Sequence, residues 1–337
     1  MTSLTDTPLS ILDLSTIGSG QTASRALRQS VELAKKAESL GYKRHWLAEH
    51  HGMPSVATST PEILIAHVAQ ATDHIRVGSG GIMLPNHAPL KVAESFHTLE
   101  ALFPGRIDLG IGRAPGTDQT TQKALRSFDA NQFPAQLDEL QRLSSGDFPA
   151  DHPFASVTVM PNDVELPPIW LLGSSGASAK FAGQLGLGYS FASHFSQTDP
   201  RPALDAYRNN FQPSARFEEP HIIMATAVIC AETDEQANHL AASWDLATVR
   251  LRRGEYSPFP TPEEAKNYPY TAMDRAIIDK HRKLQFVGSQ DTVRTELEDF
   301  TGDTGADELM IATFVHSHED RIKSIELLAD AFDLDSN

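Results

Sequence analysis

A single cysteine, few basic residues and the lack of a long hydrophobic run limit what this 337-residue sequence can be. Cys230 alone forms neither an internal disulfide bond nor a cysteine-based zinc site. Lysine and arginine number 28 against 44 aspartate and glutamate residues, which gives a formal net charge of −16. So acidic a chain is expected to repel nucleic acid and anionic membranes, because both bind through basic patches. No run of about 18 apolar residues exists that would span a membrane.

The first ten residues, MTSLTDTPLS, lack the basic stretch and apolar run of a signal peptide. We therefore expect a cytoplasmic protein. Hydrophobic residues make up 40% of the sequence and charged residues 21%, which is ordinary for a globular protein with a large core. The length would allow two average domains, but α/β barrels of this length fold as one. We expect one domain over residues 1–337.

Eight short apolar runs alternate with segments of helical spacing along the chain. The predicted strands are residues 9–14, 44–48, 75–78, 106–111, 168–172, 188–192, 222–231 and 307–314. Most are apolar throughout rather than alternating, which indicates strands buried on both faces and hence a parallel sheet. Eight βα units fit an α/β fold of the (β/α)8 TIM barrel type better than an open sheet.

Two segments interrupt this alternation. Residues 117–143 are helical in character, as one or two helices, and residues 144–167 are rich in proline and resemble a loop. Residues 254–271 contain four prolines and form the second interruption. Long irregular stretches of this kind are usually functional or lie on the surface. We therefore predict insertions after the fourth strand and after the seventh unit.

Functional residues of a TIM barrel lie in the loops that follow the carboxyl ends of its strands. Glu49-His50-His51 follows the second predicted strand, where a histidine can act as a general base near neutral pH. The alternative is two loop histidines, one of them paired with Glu49. A metal site is less favoured, because no HExxH motif occurs and a ligand such as His194 or His316 would have to join from another strand.

Small residues follow the third and fourth strands. Ser79-Gly80-Gly81 would let a flat ligand approach closely, although a plain loop explains them equally well. Arg113, in the sequence GIGR, could bind a phosphate bidentately, or could instead form a salt bridge with Asp118. The spacing of these glycines does not match a dinucleotide-binding fingerprint.

A serine- and glycine-rich segment, GSSGAS at residues 173–178, lies between the fifth strand and its helix. Backbone N–H groups at a helix N-terminus, with hydroxyls beside them, form an anion site. Simple N-capping by Ser174 or Ser175 is the alternative, and both can hold together. Such a site suits one phosphate monoester without a metal ion.

Together these motifs resemble those of the bacterial luciferase-like flavin-dependent monooxygenases. The matching stretches are WLAEHH (46–51), VGSGGIMLPNHAPL (77–90), FPGRIDLGIGRAPGTD (103–118) and GSSGASAKFAGQLGL (173–187), in the order of the family. The resemblance implies a TIM barrel with an insertion after the fourth unit and a mobile segment after the seventh strand. It therefore favours residues 254–271 as a mobile lid.

The resemblance also assigns roles. It implies that His50 assists chemistry at the flavin, and that Ser79, Gly80 and Gly81 lie against the isoalloxazine ring, with a cis peptide between Ser79 and Gly80. The residues that it places at the cofactor phosphate are Arg113, Gly173, Ser174, Ser175 and Ser178.

The sequence departs from luciferase at the end of the sixth strand. Ser193 would meet the edge of the ring where luciferase has an aromatic residue, while Phe191, His194 and Phe195 supply bulk nearby. The luciferase cysteine near the flavin has no obvious counterpart, because Cys230 falls late in the seventh strand. The aldehyde pocket therefore does not transfer, and light emission is not implied.

The resemblance implies a homodimeric monooxygenase that uses reduced FMN and O2 to oxidise a small organic substrate. A separate NAD(P)H:flavin reductase would supply the reduced FMN. A deazaflavin-dependent hydride-transfer enzyme of the same superfamily is a second candidate, whose longer anionic cofactor would need more basic residues. A flavin-binding protein without turnover and a metal-dependent barrel hydrolase complete the set of candidate functions.

Overall fold

The computed structural model describes residues 7–125 and 129–335. Within these ranges the chain forms nine strands, which are all parallel where they pair. The strands are β1 (Leu9–Asp13), β2 (Arg44–Leu47), β3 (Arg76–Met83), β4 (Ile107–Gly112), β5 (Ile169–Gly173), β6 (Gly188–Ala192), β7 (Ile222–Cys230), β8 (Gln285–Gly288) and β9 (Glu308–Ala312).

Helices connect successive strands on the outside of the sheet. They are α1 (Ala23–Ser39), α2 (Pro61–Ala71), α3 (Pro89–Leu102), α4 (Gln119–Leu125), α5 (Phe133–Ser145), α6 (Gly176–Gln184), α7 (Arg201–Asn210), α8 (Asp234–Arg252), α9 (Pro262–Lys266), α10 (Ala272–Arg282), α11 (Gln290–Thr304) and α12 (His318–Ala331). None of the helices in the described ranges is both long and apolar enough to cross a membrane.

Eight of the strands close into a barrel. Strands β1 to β6 pair in chain order, β6 pairs with β7, β7 with β9, and β9 returns to β1. The prediction of a (β/α)8 TIM barrel is therefore confirmed. Because all eight strands are parallel, their carboxyl ends gather at one end of the barrel, which we call the mouth.

All eight predicted strands are present, but the region after β7 contains one strand and one longer helix that were not predicted. Strand β8 pairs with the last residues of β7, Ala227–Cys230, outside the closed ring of eight. Its sequence, QFVG, is only partly buried over its first three residues and so gives no strong strand pattern. Helix α10 was not predicted either; it buries only Asp274, and its sequence, AMDRAIIDKHR, is rich in charged residues. Strand β3 extends to Met83, past the predicted end at residue 78.

Both predicted insertions are present. The first comprises α4, α5 and an irregular stretch at residues 146–168; part of the predicted helical segment 117–143, residues 126–128, lies outside the described ranges. The second, residues 254–271, contains the short helix α9. Phe259 in this segment is buried, and its backbone pairs with the loop after β1 through Phe259 N–H to Ile17 O and Ser19 N–H to Phe259 O, both at 2.8 Å.

A layer of buried charges fills the amino end of the barrel. Arg44 donates to Glu308 through Nε at 2.6 Å and to Asp108 through Nη1 at 2.8 Å. Ser10 also donates to Glu308. Burial opposes ionisation of both carboxyls, but the charge of Arg44 outweighs it and holds their pKa values below the ordinary range. We call Ser10, Arg44, Asp108 and Glu308 the ion layer.

An apolar layer lies above the ion layer, nearer the mouth. The rings of Trp46 and Trp170 meet edge to face at 5.7 Å, and Leu12 and Met310 pack with them. Both layers consist of buried side chains. Below the mouth these two layers of side chains fill the barrel, and a ligand site inside it is therefore expected at the carboxyl ends of the strands.

Candidate active site

The predicted site residues follow five neighbouring strands. His50 comes after β2, residues 79–81 lie in β3, Arg113 follows β4, residues 173–178 begin at the end of β5, and Ser193 follows β6. Strands β2 to β6 are consecutive in the barrel. The structure therefore brings these residues into one arc around the mouth.

Glu49 joins the loop after β2 to the end of β3 and the loop that follows it. Its buried carboxylate accepts hydrogen bonds from His51 Nε2 at 2.8 Å, from His87 Nε2 at 2.9 Å and from the backbone N–H of Met83 at 2.8 Å. Burial raises the pKa of Glu49, but the hydrogen bonds from the two histidines outweigh it and lower the pKa to about 2. The histidine that pairs with Glu49 in its own loop is thus His51, which leaves His50 for another role.

His50 is held by its backbone rather than by its ring. Its N–H donates to Thr58 O at 2.9 Å, while its Nδ1 is buried without a hydrogen-bond partner among the described residues. Burial lowers the pKa of His50 to about 4. The imidazole is therefore neutral near pH 7 and can accept a proton or a hydrogen bond.

A second neutral histidine, which sequence reasoning did not select as a site residue, lies close by. His194 follows β6, is 8% exposed, and has Nδ1 3.1 Å from Ala225 O. Burial lowers its pKa to about 4, and neighbouring His50 acts in the same direction. Because a carbonyl only accepts, Nδ1 carries the proton and Nε2 keeps its lone pair. The signal in the sequence was its place one residue after Ser193, at a strand end.

Four glycines, Gly80, Gly81, Gly110 and Gly112, form what we call the glycine floor where β3 and β4 meet. A Cβ on Gly80 would come within 2.6 Å of Leu12 Cδ1, and one on Gly81 within 2.7 Å of Gly110 O. The apolar layer thus leaves no room for a side chain at Gly80, and the close packing of β3 and β4 leaves none at Gly81. This part of the mouth is left without side chains.

The expected cis peptide is displaced by one residue. The prediction of a cis bond between Ser79 and Gly80 is wrong, because the cis peptide is Gly80–Gly81. Ser79 still pairs in register with Leu109, and its buried Oγ donates to Gly110 O at 2.8 Å. The strand leaves its regular ladder only after Ser79, between Ser79 and Ile82. The Ser79 side chain is therefore engaged between β3 and β4 and is not free to contact a ligand.

The loop after β5 places serine hydroxyls at the start of a helix. Ser175 is the N-cap of α6, yet its hydroxyl caps no N–H in this described helix; it lies 3.4 Å from Ser178 Oγ. Ser178 Oγ donates to Ser175 O at 2.9 Å, and a Cβ on Gly173 would collide with that hydroxyl. Ser174 is partly exposed. The predicted alternative of N-capping by the Ser175 hydroxyl is not what this structure shows.

Arg113 is exposed next to this loop. Strands β4 and β5 are in register at Ile111 and Leu171, so the residues that follow each strand lie side by side. No hydrogen bond or ion pair engages Arg113 within the described ranges. Asp118, the predicted salt-bridge alternative, instead accepts from the N–H groups of Thr120 and Thr121 at the start of α4.

The model of one protein family, described as luciferase-like monooxygenase, matches residues 7–308. The chain belongs to this family. A luciferase-like monooxygenase of Escherichia coli (strain K12) is 42% identical over 324 residues, which cover 95% of this chain and 96% of the relative. An N-acetyl-S-alkylcysteine monooxygenase of Bacillus subtilis (strain 168) is 36% identical over 328 residues, 96% of this chain and 97% of the relative.

Solved structures agree with this luciferase-like monooxygenase fold. The crystal structure of apo-MsnO8 is 38% identical, has a TM-score of 0.90 and covers 99% of this chain, which covers 100% of that one. Two structures of lower identity share the fold alone. They are the oxygenating constituent of 3,6-diketocamphane monooxygenase of Pseudomonas putida in complex with FMN (19%, TM-score 0.72, 97% of both chains) and an F420-dependent secondary alcohol dehydrogenase (15%, TM-score 0.64, 96% of this chain and 99% of that one).

The start of α6 and the neighbouring Arg113 are groups of the kind that bind a phosphate. The start of α6 offers backbone N–H groups and serine hydroxyls, and the glycine floor adds no side chain to the strand ends of β3 and β4. In the described part of the chain, no three histidine, cysteine, aspartate or glutamate side chains are arranged to hold a metal ion.

Proposed function

We propose that this luciferase-like monooxygenase binds reduced FMN at the arc from β2 to β6 and uses O2 to oxidise a small organic substrate. A separate NAD(P)H:flavin reductase would supply the reduced flavin. The observation that carries the proposal is the loop at residues 173–178, where a helix N-terminus with two serine hydroxyls lies beside Arg113, which makes no hydrogen bond or ion pair within the described ranges. These groups suit one phosphate.

The residues present fit the cofactor. Arg113, Ser174, Ser175 and the N–H groups at the start of α6 would hold the phosphate, and the glycine floor would lie against the ring. Reduced FMN would supply the electrons and the site of reaction with O2. His50, neutral near pH 7, would accept a proton or hydrogen bond at the ring, and His194 would offer its Nε2 lone pair from the neighbouring loop.

The net charge of the chain supports FMN over a deazaflavin with a long anionic tail. Formal charge is −16, and Arg113 is the basic residue placed directly after a strand within this arc. A ligand with several negative charges would meet repulsion from the chain without enough local cations to offset it. One phosphate needs only one such contact.

An absorption and fluorescence titration of the purified chain with FMN, riboflavin and a deazaflavin tests the cofactor. We expect FMN to bind at least tenfold more tightly than riboflavin, because the phosphate contacts are lost with riboflavin. Tighter binding of the deazaflavin would overturn the assignment. Turnover is then measured as uptake of O2 and incorporation of its oxygen into product, with a flavin reductase and NADH. The expected homodimer stays a prediction that sedimentation equilibrium checks.

A further inference from the structure

A cavity of about 150 Å³ lies on the side of the mouth away from the phosphate loop. Leu14 and Phe314, which follow β1 and β9, form its base, and both also pack onto the apolar layer inside the barrel. Met53, Trp244 and Phe259 supply further apolar walls. The cavity therefore continues the barrel interior outward, beside the arc that the flavin would occupy.

An aromatic wall gives the cavity its shape. The rings of Trp244 and Phe314 lie 4.2 Å apart between centroids and 32° from parallel. Trp244, Phe314 and Phe259 pack in one cluster. Rigid aromatic faces of this kind favour a flat or slender apolar body over a flexible polar one.

The lining carries no positive charge. Among the described residues that line the cavity there is no lysine, arginine or histidine, and Glu255 is charged and exposed. Arg250, next in sequence to the lining residue Leu251, lies 3.5 Å from both Ser257 Oγ and Glu264 Oε2 and is thus already paired.

His281 stands behind the aromatic wall, 4.6 Å from the ring of Trp244. Burial lowers the pKa of His281 to about 4, so it adds no positive charge near pH 7. An anionic group placed in the cavity would lose its hydration and gain no counter-charge. The hydroxyls of Thr16, Ser55 and Tyr256 can still orient a neutral polar atom.

We propose that this cavity binds the substrate, and that the substrate is an uncharged, largely apolar molecule of about six to ten non-hydrogen atoms with one neutral polar group. The size follows from the volume, since a cavity of about 150 Å³ accommodates benzene. The inference rests on the proposed function for its chemistry. It sets this chain apart from a monooxygenase of N-acetyl-S-alkylcysteines, which carry a carboxylate at neutral pH.

A ligand-observed NMR titration of the purified chain without flavin tests whether the cavity prefers uncharged ligands to anionic ones. Benzamide and benzoate have nearly the same shape and differ in charge, and acetophenone is a less polar neutral probe. We expect acetophenone and benzamide to bind at least tenfold more tightly than benzoate. Benzoate binding as tightly as benzamide would overturn the proposal.

Two substitutions locate the binding in this cavity. Ala247→Phe fills it from α8 and is expected to weaken acetophenone binding at least tenfold, whereas Ala276→Phe on the exposed face of α10 leaves it unchanged. Leu251→Arg adds a cation to the lining and is expected to raise benzoate affinity at least tenfold. Equal acetophenone affinity in both phenylalanine variants would overturn the assignment to this cavity. Thermal melting establishes that each variant is folded.

The titration separates this inference from the proposed function. If neutral probes bind at the cavity but no O2 is taken up in the presence of reductase and FMN, the monooxygenase proposal is overturned. The preference of the cavity for uncharged ligands would then still hold. If carboxylates are oxidised with flavin in preference to their neutral isosteres, the monooxygenase proposal holds and the preference of the cavity for uncharged substrates is overturned.

Discussion

Replacing His50 by glutamine is expected to slow turnover by roughly 10²-fold, the usual scale of help from a general acid or base. The ring makes no hydrogen bond at Nδ1 within the described residues, so the melting temperature should change by only a few degrees. Stopped-flow and steady-state kinetics measure the rate, and His239→Gln on the exposed face of α8 serves as the control. Unfolding of His50→Gln would support the alternative of a structural loop histidine.

Protonation of His50 at low pH should lower both the stability of the fold and the rate of turnover. With the pKa of His50 lowered to about 4, the folded chain holds the ring neutral where the unfolded chain, near 6.5, binds a proton. His50 therefore disfavours folding as pH falls through this window, and its acceptor function is lost only near its folded pKa. Turnover should be flat from about pH 6 to 8 and fall below about pH 5. In His50→Gln that acid fall should become smaller, and what remains would come from His194, whose pKa is also lowered to about 4.

Arg113→Ala is expected to weaken FMN binding by roughly 10- to 150-fold, because one charge-assisted hydrogen bond contributes about 1.5–3 kcal/mol. Riboflavin, which lacks the phosphate, should bind the variant and the original chain equally. The melting temperature should not change, since Asp118 caps α4 and does not pair with Arg113. An equal loss for riboflavin would show that Arg113 supports the fold and not the phosphate.

Individual site residues could be predicted from the sequence as far as strand ends could be located. His50 and Arg113 were identified because each follows an apolar run, and the structure places both at the mouth. The pairing of Glu49 with His87 was not predictable, since it joins residues 38 positions apart. The tautomer of His194 depends on the carbonyl of Ala225, a contact that no local pattern encodes.

The pairing of β3 with β4 depends on glycine, which a single substitution tests. In Gly110→Ala the new Cβ would collide with the backbone oxygen of Ser79, an atom that cannot move aside without shifting β3. We expect a loss of about 1–3 kcal/mol or more in the free energy of unfolding, measured by urea denaturation. Gly176→Ala at the start of α6 is the control, because its Cβ meets open space and should change stability by less than about 0.5 kcal/mol.

The predicted lid, residues 254–271, is tied down at Phe259 but begins on an exposed stretch. Arg252 and Arg253 are exposed, so brief trypsin treatment should cut there before it cuts at Lys35 within α1. The segment forms one wall of the cavity, so FMN and acetophenone together should slow this cleavage. Mass spectrometry of the fragments identifies the site. A cleavage rate unaffected by ligands would contradict a lid that closes over the mouth.

Elements with a regular apolar pattern could be predicted from the sequence. Elements that depend on contacts with other segments of the chain could not. The eight barrel strands are buried along most of their length, which leaves a continuous apolar signature in the sequence. Strand β8 exists because β7 extends past the barrel and offers an edge at Ala227–Cys230. Helix α10 is fixed by the capping box of Thr271 and Asp274, and by Arg253, which donates to Asp274 at 2.7 Å.

The charge of the entire chain affects how fast an anion arrives. A formal charge of −16 repels FMN at long range, while the local attraction at Arg113 acts over a few ångströms. Salt screens the long-range field first, with a Debye length of about 8 Å at 0.15 M. The association rate of FMN should therefore rise about twofold or more between low salt and 0.15 M. Stopped-flow fluorescence measures it, and an unchanged rate for uncharged riboflavin is the control; a falling FMN rate would indicate a basic approach path.

The barrel as a whole could be predicted from the alternation of strands and helices alone. Each βα unit shows in its own sequence an apolar strand that is buried and a helix with one apolar face. The relative positions of the arc and the cavity were not, since they depend on the order in which β1, β7 and β9 close the ring. The irregular connections after β7 contribute to the cavity through Glu255, Tyr256 and Ser257. Sequence patterns place such segments near a strand end and leave their course unspecified.

The ion layer at the amino end of the barrel separates the residues that stabilise the fold from those that contact the ligand. Arg44, Asp108 and Glu308 stabilise one another far from every loop of the mouth, and removing one of them would leave a buried charge unpaired at a cost of about 3–5 kcal/mol. Selection on the ligand therefore acts on a different set of positions from selection on folding. Libraries built for a new substrate range can therefore vary the cavity residues Met53, Ala247, Leu251 and Tyr256, while the residues of the ion layer are kept unchanged.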